Sequence, residues 1–462
     1  MTRKLDALVI GAGPAGWAAA LQGAKLGLDV AVVEKGALVG GACIHTGTVP
    51  SKTLREAILD LLAVRRGGEL GVQSTLARPL GIQDLMRRKD SVIEQQVRTL
   101  QNFLDRNQVR VIPGSASLVS PQQVRVSTPE KESVLEAEKI VIAIGSRPRR
   151  PEDIPFDDRV VCDSDSILSL DAIPRSLAVL GGGVIGCEYA CMFAALGVKV
   201  TLLDRRATLM RFLDQTILDS LCHHMRELGV RIMLGEQVES VAVRETGRQR
   251  QVVVKLASGR EVKAERLLAA AGRESNTDSL GLQRVGIETD QTGLVKVDES
   301  YRTNQPNIFA VGDVIGFPAL AGTSMHQGRL AMLRAAGHEP LPAKALPVAI
   351  YTIPEISMVG LTEEECRQQG VVYEVGMARY GESARSQISG KLDGLLKLVF
   401  RREDRVLLGV HLIGHASSEL VHIGMAVVHS GGTIDQLCDS IFNYPTLSEA
   451  YRVAALDGLN RL

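Results

Sequence analysis

The sequence predicts an α/β protein made of two βαβ-wound domains followed by a C-terminal α+β domain. Three observations carry this reading. The chain has 462 residues, too many for one core and suited to about three domains. Residues 7–10 are apolar and lead into Gly11-Ala12-Gly13-Pro14-Ala15-Gly16, after which an Ala-rich helical pattern begins. The same arrangement returns 170 residues later as Gly181-Gly182-Gly183-Val184-Ile185-Gly186.

Taken in order, residues 7–10 read as a short buried strand. The helix that follows runs to about Lys25 and stops at Gly27. A second strand, 29–33, ends in Glu34, 18 residues after Gly16. Strand, G-x-G-x-x-G turn, helix and a terminal acid together form the Rossmann-like dinucleotide-binding fingerprint. The glycines permit a tight turn and a close approach of backbone to a pyrophosphate. The helix N-terminus supplies partial positive charge, and Glu34 can accept hydrogen bonds from an adenosine ribose. The second copy has strand 177–180, a helix over 188–196 stopped by Gly197, and strand 199–203 ending in Asp204. Two copies imply two nucleotide-bearing ligands. Asp204 is followed by Arg205 and Arg206. An acid here suits the ribose of NAD and arginine suits the 2′-phosphate of NADP, so the run is compatible with both. A solvated charge cluster is the plainer alternative.

Residues 40–52, Gly-Gly-Ala-Cys-Ile-His-Thr-Gly-Thr-Val-Pro-Ser-Lys, read as a Gly-rich loop closed by Pro50-Ser51 before a helix. From 53 to 104 the pattern is helical, with Leu85, Ile93, Val97, Leu100 and Leu104 at near-helical spacing. Segments 109–126 and 139–144 suggest strands, 320–336 a helix, and everything from 346 a mixed α/β segment.

Lys+Arg and Asp+Glu both number 53, which argues against a nucleic-acid or anionic-membrane partner. Seven scattered cysteines in a chain this large read as free thiols in a reducing cytoplasm. The N-terminal apolar run is too short for a signal segment, and no run approaches the 18 apolar residues of a membrane span. Cys187 and Cys191 are four apart on a helix without a further ligand, and Cys222-His223-His224 lacks ligand spacing. Both read as structural, and no metal is expected.

On these motifs the chain resembles the flavin enzymes of the pyridine nucleotide–disulfide oxidoreductase family, such as dihydrolipoamide dehydrogenase and glutathione reductase. The resemblance extends to Ser146-Arg147-Pro148 at the exit from the first domain and to Gly272-Arg273 at the return to it. It also covers 308–313, ending in Gly312-Asp313, and Asn443-Tyr444-Pro445-Thr446-Leu447-Ser448-Glu449 near the end. It implies an FAD-binding domain in two parts, 1–148 and 272–340, an NAD(P)-binding domain at 149–271, and a dimerisation domain at 341–462. The implied FAD residues are Gly11, Gly13, Pro14, Ala15, Gly16, Glu34, Lys35, Gly40, Gly41, Cys43, Lys52, Gly114, Ser146, Gly312, Asp313, Leu320 and Ala321. Those for NAD(P) are Gly181, Gly183, Val184, Ile185, Gly186, Glu188, Asp204, Arg205, Arg206, Gly272 and Arg273. The helix from 320 would aim its N-terminus at the flavin pyrimidine.

Two departures from the family pattern carry the functional inference. The disulfide-using members have Cys-x4-Cys against the flavin; here Cys43 is followed by Thr48. They also have His-Pro-Thr, with a glutamate matching Glu449, as the acid–base catalyst of the thiol pair; here the residue is Tyr444. A dithiol needs a proton shuttle, whereas hydride passing between flavin and nicotinamide does not. Lys52 and Glu188 match the lysine–glutamate pair near flavin N5, although each alone reads equally well as an ordinary first-turn charge. The resemblance is to the transhydrogenase branch of the family. It implies NADPH + NAD⁺ ⇌ NADP⁺ + NADH in ping-pong order through FAD, by a homo-oligomer joined through its C-terminal domain. The rivals are an NAD(P)H:quinone or dye reductase, an oxidase, and a non-catalytic flavin-bearing scaffold.

Overall fold

The computed structural model describes residues 4–65, 81–246, 249–341 and 345–462. They divide into two compact units. The first is built from the described parts of Met1–Pro151, Cys162–Ile173 and Ala271–Leu341, the second from those of Glu152–Val161, Pro174–Ala270 and Pro342–Leu462.

At the heart of the first unit, strand Leu5–Ile10 lies parallel to Val30–Glu34 on one side and to Glu132–Ile142 on the other. A strand covered on both faces has no reason to alternate polar and apolar residues. Ala7 and Val9 accordingly join one core with Ala15, Ala19 and Ala20, while Leu8 and Ile10 join another with Ile140, Ile142 and Ile308. The sheet runs Arg110–Pro113, Val30–Glu34, Leu5–Ile10, Glu132–Ile142, Gln123–Ser127, Ser115–Ser120. Strand Ile308–Ala310 also pairs with Glu132–Ile142, matching Ile308 to Ile140. Helices Pro14–Lys25 and Ala321–Ala335 cross closely because Gly328 has no side chain. A Cβ there would lie 2.0 Å from the Ala15 carbonyl oxygen.

In the second unit, four parallel strands run in the order Arg231–Leu234, Lys199–Asp204, Ser176–Leu180, Arg266–Ala269. Helix Val184–Ala195 is buried continuously from Gly186 to Ala195, which explains its lack of a polar face. A three-stranded antiparallel sheet, Val238–Thr246, Gln249–Leu256 and Glu261–Ala264, follows. The C-terminal part is a five-stranded antiparallel sheet in the order Val348–Ile350, Ile356–Gly360, Leu407–Gly414, Gly394–Arg401, Tyr373–Arg379. Its core includes Leu420, Val421, Tyr451, Ala454 and Ala455 from helices Ser417–Ser430 and Ala450–Leu459.

Some elements differ from the sequence reading. Residues 40–52 are not a loop: Gly41–His45 is a helical turn and helix Thr48–Arg65 starts before Pro50. Proline is tolerated in a first turn, where its missing N–H has no helical partner. The helical stretch becomes Thr48–Arg65 and Ile82–Arg106, and residues 66–80 lie outside the described ones. Strand Glu132–Ile142 begins seven residues before the expected 139, because its first half pairs antiparallel with Gln123–Ser127 and carries glutamates at 132, 136 and 138.

Candidate functional site

The first fingerprint is shaped by backbone contacts. Gly11 has φ +100°, and a Cβ on it would meet the Ala143 carbonyl oxygen at 2.4 Å; a Cβ on Gly16 would meet the Gly11 carbonyl oxygen at 1.8 Å. Only glycine allows this turn to close on its strand and helix. Gly13 differs, since a Cβ there would find nothing nearer than the Gly41 Cα at 4.0 Å. It is also the N-cap of helix Pro14–Lys25 and has no side chain to cap it. Glu34 ends the second strand, accepting from the Ala12 N–H on one oxygen and the Gly36 N–H on the other, each at 2.7 Å. Gly40 donates to the Ala12 carbonyl and Gly114 to the Glu34 carbonyl, at 3.0 and 2.9 Å. Lys35 is exposed.

Across the same unit, the Ser146 hydroxyl donates to Asp313 at 2.6 Å, and Arg273 donates to both the hydroxyl and the carbonyl of Ser146 at 2.8 Å. Arg273 and Gly272 thus lie in the first unit, beside Ser146 and Asp313. The Gly312 N–H donates to the Gln327 side chain at 2.8 Å. Leu320 is the N-cap of helix Ala321–Ala335, and its apolar side chain cannot cap it.

Cys43 lies in the turn Gly41–His45, and Thr48 starts the next helix. Burial pushes the Cys43 thiol up, and the Thr48 hydrogen bond and Lys52 charge only partly offset this. Lys52, one helical turn beyond Thr48, donates to the Ser51 hydroxyl at 3.3 Å. Asp165 is also raised by burial, against the Arg273 charge and a hydrogen bond from Thr46.

The second fingerprint repeats the backbone design. Gly181 has φ +104°, and a Cβ on Gly186 would meet the Gly181 carbonyl oxygen at 1.9 Å. Gly183 caps helix Val184–Ala195 without a side chain. Gly182 is packed, since a Cβ there would lie 2.3 Å from the Leu209 side chain. Asp204 is buried and receives the Gly182 N–H at 2.6 Å. Arg206 grips it with a fork, Nε to one oxygen at 2.9 Å and Nη2 to the other at 2.6 Å, and adds its own backbone N–H at 2.8 Å. Burial works against the Asp204 charge, yet these hydrogen bonds and the Arg206 charge hold its carboxyl below the usual range. Arg205 is exposed. Glu188, 4 % exposed on the helix, accepts the Tyr351 N–H at 2.8 Å.

Each turn combines an uncapped helix N-terminus with a strand-end acid, an arrangement able to take a pyrophosphate and a ribose. Residues 5–328 match the family model Pyridine nucleotide-disulphide oxidoreductase, and residues 346–455 match that family's dimerisation domain. The chain belongs to the pyridine nucleotide-disulphide oxidoreductase family. This family binds FAD and nicotinamide nucleotides. Among its curated members, the soluble pyridine nucleotide transhydrogenase of Mycobacterium tuberculosis (strain ATCC 25177 / H37Ra) is 45 % identical, covering 100 % of this chain and 98 % of its own. That of Escherichia coli O1:K1 / APEC is 44 % identical over 99 % of this chain and 98 % of its own. Among solved structures, LpdA from Mycobacterium tuberculosis aligns with a TM-score of 0.90 at 28 % identity, covering 98 % of this chain and 99 % of LpdA. The HOCl-induced flavoprotein disulfide reductase RclA from Escherichia coli aligns at 0.86 and 29 %, with the same coverage.

Sequence reading missed three site contacts of this oxidoreductase: the Tyr351 N–H on Glu188, the Gln327 side chain on Gly312, and the Arg206 fork on Asp204. The first two join residues 163 and 15 positions apart, with no local pattern to mark them. The third had a signal, the adjacency of opposite charges, but its geometry depends on side-chain torsions. Tyr444, standing where thiol-using relatives have histidine, is 71 % exposed.

Proposed function

We propose that this flavoprotein transfers hydride between NADPH and NAD⁺, with FAD on the first fingerprint and the nicotinamide nucleotides taking turns on the second. One observation carries the reading: the residue five positions beyond Cys43, at the start of the next helix, is Thr48, which has no second sulfur to offer. A thiol held protonated by burial beside a hydroxyl gives electrons no dithiol route to a disulfide substrate. The transhydrogenase names of relatives at 44–45 % identity support the same reaction.

The residues present fit FAD. Open room at Gly13, an uncapped helix N-terminus and the Glu34 carboxylate suit the adenosine pyrophosphate half. Asp313, supported by Ser146 and Arg273, suits the ribityl chain. Bound FAD would supply a group that accepts hydride from one nicotinamide and returns it to another. The chain's own work is positioning and charge. The N-terminus of helix Ala321–Ala335 and the Lys52 ammonium favour negative charge arriving in their vicinity. Glu188 is oriented by the Tyr351 N–H, and Gly181, Gly183 and Gly186 admit a second pyrophosphate. The dimerisation-domain match over residues 346–455 supports pairing of two copies through the C-terminal segment, and a cytoplasmic location suits seven cysteines outside any disulfide.

The test is initial-rate transfer from NADPH to a spectrally distinct NAD⁺ analogue, run beside quinone and oxygen controls. Transhydrogenation should have the highest kcat/KM. A higher kcat/KM for a quinone would replace this reading with a quinone reductase, and failure of NADPH to bleach the flavin would leave a scaffold.

A further inference from the structure

We propose that Arg206 lets one ribose site accept both NAD(H) and NADP(H), by closing on Asp204 for the phosphorylated ribose and opening for the plain one. This rests on placing nicotinamide nucleotides at the second fingerprint. The starting point is a difference between the acids that end the two fingerprint strands. Glu34 takes one backbone N–H on each oxygen. Each carboxylate oxygen has two acceptor positions, so one on each is left to meet a ribose diol. Asp204 takes four donors: the Gly182 and Arg206 N–H groups and the Arg206 Nε and Nη2. Its acceptor positions are all met by the chain itself.

A ribose hydroxyl can donate to Asp204 only where one of these donors withdraws. The two N–H groups belong to backbone fixed around a buried carboxylate. The guanidinium is the movable partner, with its side chain 41 % exposed against 4 % for Asp204. Its withdrawal frees one acceptor position on each oxygen, which reproduces the engagement of Glu34 and fits the 2′,3′-diol of NAD(H).

The closed fork suits the other ligand. It spends the Nε–H and one Nη2–H on Asp204, leaving three N–H donors on the outer edge of the guanidinium. Pairing also cancels the carboxylate charge that would repel a phosphate. A 2′-phosphate can therefore dock against the outer edge with the fork intact.

The experiment is calorimetric titration of the flavin-loaded enzyme with two fragments lacking nicotinamide, adenosine 2′,5′-bisphosphate and 5′-AMP. Arg206→Gln should weaken the bisphosphate by about 10- to 100-fold, the worth of charge-assisted hydrogen bonds. The same change should tighten 5′-AMP by about 2- to 5-fold, because a half-exposed ion pair no longer has to open. Arg206→Lys keeps the charge without the fork and should fall between wild type and Arg206→Gln for the bisphosphate. Equal weakening of both fragments, or an unchanged bisphosphate affinity, in a variant that keeps its flavin and melting temperature would overturn the switch alone. If wild type binds neither fragment and neither competes with NADPH, the placement of the nucleotides fails, and the switch with it.

Discussion

Cys43 shows how much one neighbour decides. Its thiol is pushed above the ordinary value by burial, so it stays protonated through neutral pH, where an unshifted cysteine of pKa about 8.5 is partly ionised. Site-resolved alkylation of Cys43 should therefore accelerate only at pH values above about 8.5, later than a free thiol standard. Cys43→Ser should keep most transhydrogenation and all the flavin; abolished turnover with flavin retained would make Cys43 a participant in hydride transfer. What was legible at this scale is what backbone dictates. Gly11, Gly16 and Glu34 could be read from spacing because a turn of fixed geometry demands them. The contact between Asp204 and Arg206 could not, because it depends on the torsions of one long side chain. Lys397 left a fainter trace, as a single charge inside the apolar run Leu395–Phe400, and its partners are 183 and 34 residues away.

The element scale turns on two junctions. Helices Pro14–Lys25 and Ala321–Ala335 meet at Gly328, where any side chain would collide with the Ala15 carbonyl. Gly328→Val should cost at least about 1–3 kcal/mol by overpacking, and should also lower flavin content by prising the two helix N-termini apart. Thermal unfolding and the flavin-to-protein absorbance ratio would measure the two effects. The second junction ties helix Gln215–Glu227 to the C-terminal sheet. Lys397, 1 % exposed, donates to both oxygens of Asp214 at 2.8 Å, to the Thr216 hydroxyl at 2.9 Å, and to Glu363. Burial pushes both carboxyls up, but His411 and Lys397 at Asp214, and Lys397 and Tyr373 at Glu363, hold them below their usual values. Folded values below the unfolded ones, near 4, mean that this stabilisation is complete above pH about 4 and fades as pH falls through the folded values. Lys397→Met, leaving the buried Asp214 carboxylate without its cation, should lose about 3–5 kcal/mol at neutral pH. The gap from wild type should narrow below pH 4; a gap independent of pH would assign the loss to packing instead. The helix starting at Thr48 shows why element boundaries were the weakest part of the sequence reading. A proline in a first turn and a proline ending a loop look alike until tertiary contacts choose between them.

For the molecule as a whole, the proposed placement of FAD on the first fingerprint leaves one nicotinamide position to be shared. Initial rates at several fixed NAD⁺ concentrations should give parallel double-reciprocal lines, and each nucleotide should inhibit competitively against the other at high concentration. Intersecting lines would call for a second nicotinamide position that neither fingerprint supplies. The order of the fold classes was readable because each fingerprint is local. The division into two units was less so, because both units are assembled from distant stretches of chain. That interleaving bears on how the protein is made. Strand Glu132–Ile142 emerges from the ribosome about 165 residues before Ile308–Ala310, the segment that pairs along its Ile140–Ile142 edge. At 5–20 residues per second, the nascent first unit waits roughly 8–33 s with that strand edge bare. An unpaired apolar edge held open for so long is a template for wrong partners. Translation speed and early shielding by a chaperone should therefore govern the yield of this protein more than the stability of its finished form does.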